Sequence, residues 1–124
     1  MTLTDTALAF MSRWPDPARF LPSIGEYFAD DCLYENIGLS MTRGPTEAIA
    51  FFEAFMKQVP LVAIKVDLLA IAEAGDAVLT ERVDHFVAAD GSTLMSIPLM
   101  GIMKFRDGKL YEWRDYFDTK PFRP

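Results

Sequence analysis

The sequence is short of the side chains on which metal, disulfide and thiol chemistry depend: it has one cysteine and one histidine. A single cysteine allows no internal disulfide. Nothing beside Cys32 in sequence would activate its thiol, so it reads as a small buried hydrophobe. With His85 as the only histidine and no metal-ligand cluster, neither a metal nor a cofactor is expected. Positive charge is also scarce. Twelve Lys and Arg stand against eighteen Asp and Glu, for a net charge of -6, and no basic cluster offers a nucleic-acid footprint. The opening "MTLTDTALAFMSRW" lacks a basic region, a long apolar run and a small-residue cleavage site, so a signal peptide and a membrane partner are not expected and a cytoplasmic location is.

What is abundant is apolar surface. A composition 51% hydrophobic and 13% aromatic describes a packed globule rather than a disordered chain. At 124 residues the expectation is one domain over 1–124, burying about two-thirds of its unfolded surface.

Hydrophobic spacing divides the chain in two. Thr4 can cap a helix in which Ala7, Phe10, Met11 and Trp14 recur at helical spacing until Pro15 stops it. Asp16-Pro17 reads as a second helix start, and Ser23 to Glu26 as a capping box for another short one. "DCLYENI" alternates as a strand, "GLSMTRG" reads as a loop, and a strong helix runs from Pro45 to about Val59 with Ile49, Phe52, Phe55, Met56 and Val59 as its stripe. From Leu61 the period becomes two. Strands are expected near 61–72, 77–88, 93–105 and 110–117, joined by Gly-containing turns and therefore antiparallel. Pro98 and Gly101 inside the third of these suggest a bulge or bend. Helices first and a curling sheet after give an α+β fold, a cone whose apolar interior the helices close.

Two strands carry polar residues where a core face is expected. In 77–88 one face holds Val78, Thr80, Arg82, Asp84 and Phe86, and the other Leu79, Glu81, Val83 and His85. In the last strand Tyr111, Trp113, Asp115 and Phe117 share a face. A carboxylate between aromatics needs a cation, because an unpaired buried charge costs several kcal/mol, and Arg82 is the available one. With Asp84 the group would hold two carboxyls and one guanidinium, so burial favours protonating one aspartate. This is either a structural ion pair at the sheet rim or an acid–base site. Tyr34 and Asn36, two apart on the first strand, could hold a water molecule.

Taken together, "LYEN", "ERVDHF" and "SIPLMGIMKFRDGKLYEWRDYFD" resemble the limonene-1,2-epoxide hydrolase family, within the nuclear-transport-factor-2-like (NTF2-like, SnoaL-like) group of cystatin-like α+β barrels. The likeness runs from about Phe28 to Asp118. It implies a curved mixed sheet with helices closing a deep pocket, a homodimer through the sheet's outer surface, and hydration of a small lipophilic epoxide to a vicinal diol. It also implies roles. Asp115 would be the general base, Tyr34 and Asn36 would hold the attacking water, Asp84 would be the acid, and Arg82 would position both aspartates. Parity then makes Phe55, Val59, Phe86, Ile97, Leu99, Trp113 and Phe117 the expected pocket lining. His85 falls on the opposite face, as an interface or surface residue. Two alternatives stay open: an isomerase or polyketide cyclase of the same fold group that uses an Asp base, and a non-catalytic lipophile-binding module.

Overall fold

The computed structural model describes residues 1–123. Helices α1 (Leu3–Met11) and α2 (Phe20–Tyr27) lead into strand β1 (Phe28–Asn36), a short β2 (Ser40–Arg43) and helix α3 (Gly44–Gln58). Strands β3 (Leu61–Ala74), β4 (Ala77–Ala88), β5 (Thr93–Arg106) and β6 (Lys109–Tyr116) follow, and a 3-10 turn spans Lys120–Phe122. The six strands form one sheet in the order β2-β1-β6-β5-β4-β3, antiparallel throughout except for β1 against β6. It is therefore the mixed, curved sheet expected of this α+β fold, with β2 and β3 as edges, so that it does not close into a barrel. Among the described residues no helix is long and apolar enough to cross a membrane.

Local chemistry explains the boundaries and corrects several of them. The first cap is Thr2, not Thr4: the Asp5 N–H donates to Thr2 Oγ1 at 3.0 Å while Asp5 Oδ2 accepts from the Thr2 N–H at 3.0 Å. Thr4 instead donates through its hydroxyl to Glu73 on β3, at 2.7 Å. Asp16-Pro17 begins no helix; residues 12–19 are turns, and α2 starts at Phe20 with no side-chain cap. Ser23 lies inside α2, where its buried hydroxyl donates to the Phe20 carbonyl at 2.5 Å. The loop "GLSMTRG" contains β2, paired from Ser40 to Arg43 with the end of β1. At the β5–β6 turn, Asp107 and Gly108 both take positive φ, 53° and 75°, as a two-residue hairpin requires.

Pro98 and Gly101 produce no register shift; each pairs in register with β4, Pro98 with Val83 and Gly101 with Thr80. The irregularities fall elsewhere, between Phe86 and Val87 and between Lys104 and Phe105. The second of these breaks the parity expected for β6. Leu110 and Trp113 are both buried, whereas Tyr111 turns outward and donates its hydroxyl to Asp76.

The helices cover the concave face of the sheet. Phe10 of α1 meets Trp14 edge-on at 5.2 Å and Trp113 at 5.5 Å, and Phe28 at 6.3 Å. Burying such a ring contributes about 1.5–3 kcal/mol, with up to about 1.5 kcal/mol more for each well-oriented aromatic pair. This aromatic wall closes one end of the interior and leaves space beyond it.

Candidate active site

Strand alternation brings Thr80, Arg82 and Asp84 to the inner face of β4, and all three are buried. Arg82 Nε donates to Asp84 Oδ1 at 2.9 Å, Nη2 to Asp115 Oδ2 at 2.7 Å, and Nη1 to Thr80 Oγ1 at 2.9 Å. The guanidinium fork thus meets three acceptors, which a lysine could not match. Its side chain is 0% exposed, against 8% for Asp84 and 5% for Asp115. Two indoles flank the cation, with Trp14 at 5.5 Å and Trp113 at 6.0 Å from ring centroid to guanidinium carbon.

The Arg82–Asp115 pair has to cross β5, which lies between β4 and β6. Gly101 makes the crossing possible. It pairs with Thr80 on one side and Asp115 on the other, and a Cβ there would lie 2.5 Å from both Arg82 Nη1 and Asp115 Oδ1. The sequence signal was a glycine inside a strand, which marks close backbone or side-chain approach as readily as a bulge.

On the other side of β6, the parallel pairing places Tyr34 beside Trp113 and Asn36 beside Asp115. Tyr34 stacks on Trp113 with centroids 4.3 Å apart, and Trp113 Nε1 donates to Asp115 Oδ1 at 2.8 Å. The Tyr34 hydroxyl reaches Asn36 Oδ1 at 3.4 Å, and Asn36 Nδ2 donates to Ser40 Oγ at 3.1 Å. Ser40 therefore orients the carboxamide from β2, a role hidden in sequence because β2 looked like a loop.

Burial dominates the ionisation of these groups. It raises the Asp115 carboxyl to about 6, against the opposing pull of Arg82, and Asp84 adds to the rise. Asp84 is likewise raised by burial while Arg82 opposes. Burial alone would weaken the Arg82 cation, but Asp115 and Asp84 outweigh it and hold the guanidinium charged. Burial, helped by the charge of Asp115, pushes the Tyr34 phenol well above its ordinary range, so it remains a neutral donor. Cys32, raised by burial to about 12, is no thiolate at neutral pH.

Around the carboxyls lies a cavity of about 450 Å³, counted with its mouth, and its lining includes Tyr34, Asn36, Asp84, Phe86, Ile97, Leu99, Trp113, Asp115 and Phe117. Phe55 lines an adjoining lobe of about 350 Å³. Val59 lines neither. The chain leaves α3 there with extended dihedrals, so the side chain follows the turn into β3 and packs partly buried against the core. The structure adds Trp14, Phe20, Phe52, Ile64 and Phe122. Trp14 had been read as core from its helical stripe. Its indole N–H is buried and has no hydrogen-bond partner among the described residues. His85 lies on the outer face, bonded to Ser96 and Asp67. Among the described residues no three His, Cys, Asp or Glu side chains gather as metal ligands would.

The arrangement is thus one guanidinium clamping two buried carboxyls, one of them beside a phenol and a carboxamide, in an otherwise apolar cavity. Such a site can take a proton at one point and supply one at another without exposing either to bulk water.

Comparisons with known proteins bear on this geometry. The family model described as limonene-1,2-epoxide hydrolase catalytic domain matches residues 18–122. Epoxide hydrolase EphG of Mycobacterium tuberculosis is 34% identical over 90 residues, which span 73% of this chain and 57% of that protein. A solved LEH-like epoxide hydrolase from M. tuberculosis superposes with a TM-score of 0.76 at 27% identity, covering 94% of this chain and 83% of the other. A SnoaL-like polyketide cyclase from Jannaschia sp. CCS1, at 16% identity and a TM-score of 0.74 over 97% of this chain and 88% of its own, shares the fold. With the matched segment reaching across the guanidinium, both carboxyls and the phenol–carboxamide pair, the chain belongs to the limonene-1,2-epoxide hydrolase catalytic domain family.

Proposed function

We propose that the chain is an epoxide hydrolase that adds water to a small lipophilic epoxide in one step. The observation that carries this reading is the single guanidinium shared by two carboxyls whose proton affinities burial has raised. Water held by Tyr34 and Asn36 gives a proton to Asp115 as its oxygen bonds to one ring carbon. The strained C–O bond breaks, and Asp84 delivers its proton to the departing oxygen, which would otherwise leave as a poor alkoxide. The product is a vicinal diol. Asp115 then holds the proton that Asp84 lacks, and Arg82, bonded to both, stays charged through the exchange. With its carboxyl near 6, Asp115 is mostly ionised at neutral pH yet basic enough to accept a proton. No covalent ester with the protein is formed. A cyclase or isomerase would also need a base and an acid, but the phenol–carboxamide pair beside Asp115 favours water as the species being positioned.

The outer face of the sheet exposes Leu69, Leu79, Met100 and Tyr116, from 36% to 60%, and we assign it as the contact of a homodimer. Size-exclusion chromatography with light scattering tests that; a native monomer at micromolar concentration excludes it.

The test of the reaction is hydration of a small epoxide panel in heavy-oxygen water by the native protein, Asp84→Asn and Asp115→Asn. Diol labelled in the first turnover, with both variants inactive, is the expected result. Label entering a protein carboxylate first would overturn the direct attack of water. Absence of diol from every epoxide, with ligand binding unchanged in both variants, would point to a lipophile-binding module.

A further inference from the structure

The lobe holding the carboxyls sets Ile64, Ile97 and Leu99 among aromatic walls that include both indoles, Trp14 and Trp113. The adjoining lobe is walled by Phe51, Phe52, Phe55, Phe86, Phe117 and Phe122, with Leu39 as its aliphatic contribution. Phe52, Phe86, Phe117, Phe122, Tyr34 and Asn36 border both, so the lobes lie side by side. A molecule with its oxirane at Asp84 and Asp115 whose bulk extends past these shared side chains has that bulk among phenyl rings.

Those rings are not stacked in one direction. Phe51 and Phe55 are parallel within 6°, with centroids 6.3 Å apart, while Phe86 meets Phe55 at 79° and 5.8 Å. Phe117 meets Phe122 at 80° and 5.7 Å, and Phe122 stands off Phe55 and Phe86 at 6.0 and 6.4 Å, tilted by 51° to each. The lobe thus offers ring faces and ring edges together. A flat guest ring can set its positive edge on one face and its negative face on another edge, an attraction beyond area burial that a saturated ring lacks.

We propose that this lobe is an aryl subsite, so that the preferred substrate is an epoxide bearing a phenyl or larger aromatic group on a short spacer. The assignment deepens the hydrolase reading and rests on it for the reactive end alone. Burial by itself argues the other way for a matched pair, because a cyclohexyl ring has more apolar surface than a phenyl ring. A phenyl preference would therefore report ring geometry rather than greasiness.

The experiment compares kcat/KM for 2-(2-phenylethyl)oxirane and 2-(2-cyclohexylethyl)oxirane, whose spacer keeps the ring from activating the oxirane electronically. The native protein is expected to favour the phenyl compound by about three- to tenfold, and Phe55→Leu to bring the ratio toward one. Diol from both compounds at equal rates, or faster from the cyclohexyl one, overturns the aryl subsite and leaves the hydrolase reading intact. If neither these two nor any epoxide of the panel gives diol, 4-phenylbutanol and 4-cyclohexylbutanol are titrated by tryptophan fluorescence, since Trp14 and Trp113 both line the cavity. Tighter phenyl binding in that case keeps the subsite while the hydrolase reading falls; equal or weaker phenyl binding overturns both.

Discussion

Strand β4 carries two polar clusters back to back. Inward, Arg82 ties Asp84, Asp115 and Thr80. Outward, His85 lies between Asp67 Oδ2, at 2.8 Å, and Ser96 Oγ, at 2.7 Å. The outer set has the acid–imidazole–hydroxyl order of a hydrolytic triad, with distances as short as those inside. Yet the Asp67 side chain is 59% exposed and Ser96 is exposed too, on a sheet whose backbone N–H groups are engaged in the ladder. Hydrogen-bond geometry does not separate the two clusters; enclosure does. Burial shifts the inner carboxyls and keeps bulk water from them, whereas the outer cluster stands open to solvent.

The largest effect expected from breaking this comparison is on turnover. Asp84→Asn or Asp115→Asn should lower diol formation by about a thousandfold or more, whereas Asp67→Asn and Ser96→Ala should leave the rate per folded molecule within about twofold. Initial rates by gas chromatography decide it. Comparable losses from the outer variants would mean the reactive cluster has been misassigned.

Next in size is a change that adds rather than removes atoms. Gly101→Ala puts a methyl into the gap through which Arg82 reaches Asp115. About 10–100-fold is expected off kcat, an effect consistent with ångström-scale displacement of catalytic groups, while the circular dichroism spectrum persists. Unchanged kcat would show that the ion pair is not needed in its present geometry.

A smaller effect sharpens the inner cluster itself, through its two indoles, stacked 5.4 Å apart. Trp113 donates to Asp115, which lowers that carboxyl's proton affinity against burial; Trp14 donates to nothing among the described residues. The acid limb of kcat/KM, expected near pH 6 from Asp115, should move to higher pH in Trp113→Phe and stay in place in Trp14→Phe. An equal displacement in both would trace it to packing. The alkaline limb should follow loss of the Asp84 proton.

The last effect is on stability rather than on rate. The folded Asp115 carboxyl is raised above its ordinary 3.8, so the folded chain holds this proton more tightly than the unfolded chain. Its stabilising contribution is complete below the ordinary carboxylate range and disappears as pH rises through about 6, amounting to up to about 3 kcal/mol. Asp115→Asn should therefore lose less stability than the native protein between about pH 4 and pH 7.5 in urea unfolding. Parallel pH curves would contradict the buried shift.

Much of the inner cluster was legible because β4 keeps strict alternation: Thr80, Arg82 and Asp84 could share a face only if that face was wet or was a site. The long helix and the hairpin turns were legible for similar reasons of period and turn chemistry. What escaped depended on three-dimensional proximity. Trp14 fell on a helical stripe that sequence alone assigns to the core, but α1 ends at Met11 and the turn that follows sets the indole against the cavity. Tyr111 broke parity because it is the extra residue of a bulge in β6, left unpaired between Leu110, opposite Phe105, and Glu112, opposite Lys104; the bulge shows only in the pairing. Ser40 was invisible because four residues of edge strand carry too little period to read. Val59 obeyed the stripe, but the helix had already ended.

The contact across Gly101 also has a mechanical consequence. Arg82 and Asp115 stand on strands that are not neighbours, and their bond spans the concave side of the one between them, like a string across a bow. The bend of the sheet and the alignment of the two carboxyls are then a single degree of freedom. A substitution far away on the sheet that flattens the bow slackens the string, and the site would register a change of shape as a change in how its two carboxyls are held.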